Sequence, residues 1–172
     1  ELDSKEPSLD SSSEIELAEL IIENSTAVLF RRLADDDPQK RKMVYVSPNI
    51  SRFGYEADDF LASRVMFRDL VYPGDSARTL REIQSFVDQG LETYTTFYRI
   101  VTRQGKMRWV EDRTSIYQDP ATGQRYHQGI VIDIHEQKVA EETLRLSEDK
   151  HRRIVETAAE AMMATAKVMP NS

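Results

Sequence analysis

The sequence predicts an α+β fold in which short helices cover one face of an antiparallel sheet. Two strand-like runs come first, short helical segments and one longer helix follow, and three strand-like runs close the domain. Elements segregated in this way are typical of antiparallel sheets, whereas a regular alternation of strand and helix would indicate a parallel one. A chain of 172 residues, of which 40% are hydrophobic and 31% are charged, is long enough for one such domain with extensions.

The chain is predicted to begin with a disordered lead-in and an amphipathic helix. Residues 1–12 are acidic and rich in serine without apolar periodicity, so they are assigned to a linker. Ser13 and Glu16 form the pattern of a capping box, and the apolar residues after them recur at helical spacing. We therefore assign residues 13–24 to a helix, and its Ile21 is a candidate for a dimer seam.

Five runs have the β-branched and aromatic character of strands. A polar turn joins the first two into a hairpin, and the last three alternate with a period of two. Gly129, inside the last run, predicts a bulge or a close approach of two backbones. The five runs cover residues 27–33, 43–46, 92–102, 107–117 and 126–134.

The segment between the second and third strands is predicted to be helical. Residues 50–63 are punctuated by a glycine and by capping residues, which favours short helical turns. A longer helix follows, with Asp75 or Ser76 placed to cap its start and Gly90 to end it. Its apolar residues fall on one face, namely Leu80, Ile83, Phe86 and Val87.

The last segment is predicted to be one long helix. Residues 136–167 contain neither glycine nor proline, and a helix of this length would extend about 45 Å. Apolar residues at 3-4 spacing predict a weak coiled coil with Leu144 and Ile154 in its seam, whereas a surface helix packed on its own domain is the alternative. The seam positions are Ala140, Leu144, Ser147, His151, Ile154, Ala158, Ala161, Thr165 and Val168.

Several motifs resemble those of the PAS sensory domain family. Segments 45–50 (YVSPNI), 53–55 (FGY) and 71–75 (VYPGD) resemble its first half. Segments 98–100 (YRI), 105–110 (GKMRWV) and 129–138 (GIVIDIHEQK) resemble its C-terminal motif and exit helix. The sequence departs from the family at Phe97 and Gln104, where an acidic residue is common, and at His135, which replaces a threonine that helps to cap the exit helix.

The resemblance implies a five-stranded antiparallel sheet whose concave face can enclose a small molecule. We expect a core domain over residues 25–135 and a signalling or coiled-coil helix over residues 136–172 that leads towards a further module. In this interpretation the junction that transfers the signal is Ile132, Asp133, Ile134 and His135. The candidates for the pocket, or for the core around it, are Leu29, Tyr45, Phe53, Phe60, Leu70, Phe86 and Trp109.

The sequence restricts which cofactors such a pocket could hold. Light-sensing relatives attach a chromophore through cysteine, and cysteine is absent from this sequence. Haem-binding relatives often use a histidine of the long core helix, but residues 76–89 contain none, which argues against haem. A noncovalent flavin or a small metabolite stays open, because shape and a few polar groups recognise such ligands. The three histidines are scattered and no catalytic or metal-binding motif occurs, so we predict neither an active site nor a metal site.

We therefore expect a sensory and dimerisation module of a cytoplasmic signal-transduction protein. The resemblance implies a homodimer and an effector such as a histidine kinase or a diguanylate cyclase in the same polypeptide. A net charge of −7 argues against nucleic acid as a partner, and no apolar run of the fragment is long enough for a membrane span. Whether the full-length protein is anchored in a membrane is left open. The alternative is a ligand-free protein-interaction or oligomerisation domain.

Overall fold

The computed structural model describes residues 11–35 and 40–168. The chain divides into two compact units, one that ends at Ile134 and one that begins at His135. The first unit contains the sheet and the helices that cover it. The second unit is a single helix. Most of the lead-in predicted for residues 1–12 lies outside the described residues.

The first unit is an α+β domain built on a five-stranded antiparallel sheet with the strand order β2-β1-β5-β4-β3. This confirms the predicted fold class, together with the N-terminal helix and the long C-terminal helix. The elements of the first unit are α1 (Ser11–Asn24), β1 (Ala27–Leu33), β2 (Met43–Val46), a 3-10 helix (Pro48–Phe53), α2 (Ala57–Leu61), α3 (Phe67–Leu70), α4 (Pro73–Asp88), β3 (Thr93–Val101), β4 (Met107–Gln118) and β5 (Arg125–Asp133). The second unit is α5 (His135–Val168).

Alternation along the strands separates the two faces of the sheet. Every second residue of β3 is buried, and β1 and β4 follow the same rule over their central residues. The core forms where this buried face meets the helical segments, because a sheet that is apolar on one face must cover that face. Its fully buried members include Val28, Ile50, Phe53, Phe60, Leu70, Ile100, Val110 and Val131.

Two helices begin earlier than the sequence predicts. Helix α1 begins at Ser11, so Ser12 is helical rather than part of the linker. Three consecutive serines are each suitable for a helix start, and for this reason the pattern alone does not select one. Helix α4 begins at Pro73 and not after Asp75 or Ser76, because proline at the first helical position has no N–H to leave unsatisfied and already has a helical φ.

The structure at Gly129 confirms one of the two predicted alternatives, the close approach of two backbones. A Cβ added at this residue would lie 1.9 Å from the carbonyl oxygen of Arg113 on the neighbouring strand. The pairing of β4 with β5 is regular through Gly129, so the residue marks a close backbone approach and not a bulge. The sheet does have one irregularity, which lies between Arg31 and Arg32 of β1, where the register against β2 shifts.

Candidate functional site: a cavity between the sheet and its helices

A cavity of about 410 Å³ lies between the buried face of the sheet and helices α2 to α4. This volume is within the usual range for small-molecule sites. Its walls are largely apolar and aromatic, and they include Phe30, Met43, Phe60, Val65, Met66, Phe67, Val71, Leu80, Ile83, Tyr98 and Val131. Its charged lining consists of four cations and two carboxylates, namely Arg32, Arg41, Lys42, Arg68, Asp69 and Asp112.

Asp112 is a buried carboxylate in the sheet side of this cavity, with 7% of its surface exposed. It lies on β4, where alternation places its side chain on the same face as Val110. The hydroxyl of Tyr98 donates to Asp112 Oδ2 at 2.8 Å, and the hydroxyl of Thr114 donates to Oδ1 at 2.7 Å. Burial nevertheless raises the pKa of Asp112, because the hydroxyls offset only part of the cost of removing a carboxylate from water.

Arg32 projects from β1 towards the same face as Val28 and Phe30 and lines the cavity. Its Nε is buried and has no hydrogen-bond partner, and within residues 11–35 and 40–168 its guanidinium forms no ion pair. Its Nη2 lies 3.4 Å from Nδ1 of His127 on the paired strand β5. Burial, and next the charge of Arg32, lower the pKa of His127 to about 4, so this imidazole is neutral near pH 7.

Thr79 contributes a hydroxyl to the helical wall of the cavity. It lies on α4, only 6% of its surface is exposed, and its Oγ1 has no hydrogen-bond partner in the part of the chain that the structure describes. A buried hydroxyl without a partner costs about 1 to 3 kcal/mol. Thr79 and Arg32 are thus two unused hydrogen-bond donors on opposite walls of one cavity.

A second arginine and aspartate form a closed ion pair at the start of α4. Asp75 accepts hydrogen bonds from Nε and Nη2 of Arg99, at 2.9 and 2.6 Å, and from the backbone N–H of Arg99 at 2.9 Å. The guanidinium also lies over the rings of Tyr72 and Trp109, 4.5 and 5.4 Å from their centroids. Hydrogen bonding to Arg99 lowers the pKa of Asp75 and holds the carboxylate in its charged form.

The end of β5 is held to β4 by a further ion pair. Nε of Arg108 donates to Asp133 Oδ2 at 2.7 Å, and Asp133 is the last residue of β5. The backbone N–H of Ile134 donates to the carbonyl of Trp109 at 3.0 Å, and the side chain of Ile134 is buried. Helix α5 begins at the next residue, His135. The final residues of the sheet are therefore fixed before the chain enters the helix.

Comparison with known proteins assigns the fold to a family. The family profile described as PAS fold matches residues 43–131, which is more than half of the chain. The chain belongs to this family. The resemblance stated from its motifs is thereby confirmed. Most residues that line the cavity lie within the matched segment, whereas Phe30, Arg32, Arg41 and Lys42 precede it.

Individual relatives agree with this assignment. A protein named methyl sulfide methyltransferase-associated sensor, from Methanosarcina acetivorans, is 32% identical over 100 residues. The match covers 58% of this chain and 10% of that protein, so the chain spans about a tenth of this curated relative. The crystal structure of a sensory box histidine kinase/response regulator from Burkholderia thailandensis is 26% identical with a TM-score of 0.58, over 79% of this chain and 98% of that one.

A further solved structure shares the fold at lower identity. It is the N-terminal domain of a diguanylate cyclase with PAS/PAC sensor from Marinobacter aquaeolei, with 17% identity and a TM-score of 0.53. The similarity covers 65% of this chain and 98% of that domain. At this identity the comparison supports the fold alone.

The predicted pocket residues of the PAS domain are divided between the cavity, the core and the opposite face of the sheet. Phe60 lines the cavity, and Phe53 and Leu70 are buried in the adjoining core. Phe86 is half-buried and stacks on Tyr94, with 5.5 Å between ring centroids.

Three of the predicted pocket residues need correction. Leu29 and Trp109 are half-buried and do not line the cavity, and Tyr45 is 45% exposed. Leu29 lies between the buried residues of β1, and alternation therefore turns it to the other face of the sheet. Tyr45 pairs with Arg31, which places it on that face as well. A run of apolar residues in the sequence does not show which of its alternating side chains face the core.

The residues proposed for a dimer seam are exposed in the single chain. Ile21 on α1 and Leu144 and Ile154 on α5 are all large apolar side chains in contact with solvent. Their exposure is compatible with a seam between copies, which stays a prediction.

The sequence analysis missed Arg32, Thr79 and Asp112 as cavity residues. A signal for two of them was present, since Arg32 and Asp112 interrupt the apolar alternation of strands β1 and β4 on the face that carries the core. Thr79 carries no such signal, because threonine is common on helix surfaces.

The described residues contain neither a metal-binding cluster nor a helix suited to a membrane. In residues 11–35 and 40–168, no cluster of three or more histidine, aspartate or glutamate side chains is arranged to hold a metal ion. Within the same ranges, no helix has the length and apolar character needed to cross a membrane.

Proposed function

We propose that this PAS domain is the sensory and dimerisation module of a multidomain signal-transduction protein. In this proposal a change at the sheet or in the cavity is passed through α5 to an effector in the same polypeptide. The family and the relative named as a sensor support a sensory signalling role. The 26% identical neighbour comes from a histidine kinase/response regulator, which favours a histidine kinase over a diguanylate cyclase as the effector.

The connection between β5 and α5 is the observation that carries this proposal. One residue, Ile134, separates a strand of the sheet from a helix of 34 residues. Ile134 is buried and Asp133 is paired with Arg108, so the chain is held to the sheet up to the residue before the helix. A repacking of the sheet would therefore reach the first turn of the helix.

The test compares two ion pairs in the full-length protein. We expect Asp133→Asn to change the output of the effector at least fivefold, because it removes the charge paired with Arg108 at the start of the signalling connection. Asp59→Asn is the matched control, since it removes the charge of another ion-paired carboxylate, whose partners are Arg64 and Arg103 and not residues of that connection. Effector activity is measured together with the thermal unfolding midpoint of each variant. If Asp133→Asn altered output no more than the control does at equal loss of stability, the proposed coupling would be wrong.

The exposed apolar residues support a homodimer as the second part of the proposal. Helix α1 exposes Ile15, Leu17, Leu20 and Ile21, and α5 exposes Leu144, Leu146, Ile154 and Val155. Apolar surface of this extent is stabilised when a second copy covers it. A native mass spectrum should show a dimer that Leu144→Glu together with Ile154→Glu converts to monomer. A dimer that survives both changes would exclude α5 as the seam.

The ligand-free interaction module is the second candidate, and the same exposed residues favour it. The native mass spectrum separates the two functions. A dimer that carries additional mass is expected for the sensor, and that mass identifies the ligand.

A further inference from the structure

The charged lining of the cavity is unbalanced. Four cationic side chains face two carboxylates. One of the carboxylates, Asp69, lies beside Arg68, with 3.9 Å between its Oδ1 and Arg68 Nε. The other, Asp112, is engaged with two hydroxyl donors. Arg41 donates to the backbone carbonyl of Asp35 at 2.6 Å and has a further interaction. Among the lining cations, Arg32 is the one with a buried N–H that has no acceptor within the described residues.

Arg32 is the centre of this imbalance. Arg32 is half-buried and its Nε is fully buried, and a buried N–H normally has an acceptor because an unsatisfied donor loses its hydrogen bond to water. The nearest polar ring atom to Arg32 belongs to His127, which is neutral near pH 7 and supplies no negative charge. The buried Nε of Arg32 is left without an acceptor.

Strand register explains why Asp112 does not become the partner of Arg32. Arg32 pairs with His127 of β5, and His127 pairs with Ile116 of β4. Asp112 is four residues further along β4, opposite Val131, which at about 3.3 Å per residue displaces its backbone by about 13 Å along the strand. The two side chains form no ion pair at contact distance, although the charge of Arg32 is near enough to offset part of the rise in the pKa of Asp112.

The remaining walls of the cavity indicate the chemical character of the rest of a ligand. They are lined by four aromatic rings, from Phe30, Phe60, Phe67 and Tyr98, together with aliphatic and methionine side chains. Thr79 adds a buried hydroxyl without a partner on the side of α4. An apolar body with one anionic group would satisfy the aromatic walls, the guanidinium and the hydroxyl together.

We propose that the cavity binds a small aromatic or aliphatic carboxylate, whose carboxylate accepts hydrogen bonds from Arg32 and whose body packs against the phenylalanine side chains. Thr79 is a further donor to the same ligand. The inference rests on the proposed sensory function and specifies the ligand class of that site. A ligand held by Arg32 of β1 and Thr79 of α4 would join the sheet to the helix that covers it, which is a route from binding to movement of the sheet.

The test uses a pair of probes that differ only in charge. The intact chain of 172 residues is titrated with 2-naphthylacetate and with 2-naphthylacetamide by isothermal calorimetry. We expect the carboxylate to bind about tenfold more tightly than the amide, because a charge-assisted hydrogen bond is about twice as strong as a neutral one. The Arg32 Nε–H resonance in a ¹⁵N NMR spectrum should move with the carboxylate and stay in place with the amide.

Variants assign the preference to named side chains. Arg32→Gln should remove the preference for the carboxylate and leave binding of the amide within about twofold, since a neutral side chain loses only the charge-assisted bond. Arg31→Gln is the matched control, because it removes the same charge from the next residue of β1, on the other face of the sheet, and should keep the full preference. Thr79→Val should weaken the binding of the carboxylate probe roughly threefold, because it removes one neutral hydrogen bond.

Three results would overturn the proposal. They are equal affinity of the two probes, absence of binding by both, and an equal loss of preference in Arg31→Gln and Arg32→Gln. If Arg32→Gln does not fold, Thr79→Val and the Arg32 resonance decide the question in its place. The proposed sensory coupling fails by a different result, the Asp133→Asn comparison, which requires no probe in the cavity.

Discussion

Asp75 and Asp112 are two buried carboxylates of one domain, with 5% and 7% of their surface exposed, and they have opposite surroundings. Asp75 accepts three hydrogen bonds from Arg99, and its pKa is lowered. Asp112 accepts two hydrogen bonds from hydroxyls, and burial raises its pKa. Although the exposed fractions are similar, removal from water is the largest influence on the pKa of Asp112, whereas hydrogen bonding to Arg99 is the largest influence on the pKa of Asp75. The depth of each carboxylate and the charge of its donors together decide the direction of its shift.

The two arginines complete the comparison. Arg99 has its carboxylate partner and two aromatic rings beside its guanidinium. Arg32 has a neutral imidazole and an unused Nε. The same two residue types thus build a closed structural contact at the start of α4 and an open, charged site in the cavity. The difference between the two arginines, a guanidinium with all its acceptors and one with a buried donor that has none among the described residues, is the observation on which the proposed ligand site depends.

Removing the charge of Asp75 should have the largest effect on stability. Asp75→Asn is expected to lower the free energy of unfolding by about 2 kcal/mol at pH 7, because Arg99 loses its charged acceptor while it keeps some contact with water. Since the folded pKa of Asp75 is depressed, its contribution is present above the usual carboxyl pKa and is lost as the pH falls. Urea unfolding at pH 7 and pH 3 should therefore show a difference between variant and wild type that narrows in acid. If the free energies of unfolding of variant and wild type differed as much at pH 3 as at pH 7, the charge of Asp75 would not be the source of the stabilisation.

The neutral partner of Arg32 should make the cavity region sensitive to acid. The pKa of His127 is lowered to about 4 from the usual 6.5, so the contribution of the neutral ring is complete above pH 6.5 and is lost as the pH falls towards 4. After allowance for partial exposure we expect a loss of about 1 kcal/mol over this interval. His127→Gln, which keeps an acceptor for Arg32, should flatten this part of the stability profile.

The control for this pH dependence is His151→Gln, at an exposed position of α5. It should leave the unfolding profile of the domain between pH 7 and pH 4 unchanged. An equal flattening by both variants would show that the acid sensitivity does not come from the cavity.

Removing the charge of Asp112 should have the smallest effect. Its raised pKa means that ionisation costs stability, and this cost grows as the pH rises above the usual carboxyl value. Asp112→Asn removes the cost, while the amide can still exchange hydrogen bonds with Tyr98 and Thr114. We expect a free energy of unfolding within about 0.5 kcal/mol of wild type at pH 7, or slightly above it. A loss as large as that of Asp75→Asn in the same urea experiment would remove the distinction between the two sites.

Much of the architecture could be predicted from local patterns. The runs at residues 27–33 and 43–46 coincide with β1 and β2, because β-branched and aromatic residues between turn signals favour extended chain. The region between Tyr72 and Gly90 is helical as predicted, although the helix begins at its proline. The close backbone approach at Gly129 was one of two alternatives predicted from the glycine alone. Only glycine fits there, because a Cβ would collide with the carbonyl oxygen of Arg113.

The candidate site could be predicted only in part. Phe60 is a cavity residue in both the sequence analysis and the structure. Tyr45 has an equally aromatic character and points to the other face, since its orientation depends on its pairing with Arg31. Asp75 was one of two residues predicted to cap α4, the other being Ser76, and instead its carboxylate binds Arg99, which follows 24 residues later. A local pattern identifies a residue suited to capping but does not show a stronger partner that arrives from another strand.

The sequence by itself determined which segments form strands and helices, the order in which they occur, and the membership of the PAS family. These properties depend on periodicity, turn residues and motifs that are local in the chain. The tertiary structure alone decided that Arg99 has a carboxylate partner and that Arg32 forms no ion pair within residues 11–35 and 40–168. The physical reason is that β1 pairs with β5, about a hundred residues away in sequence, and the register of that pairing places His127 instead of an acid beside Arg32.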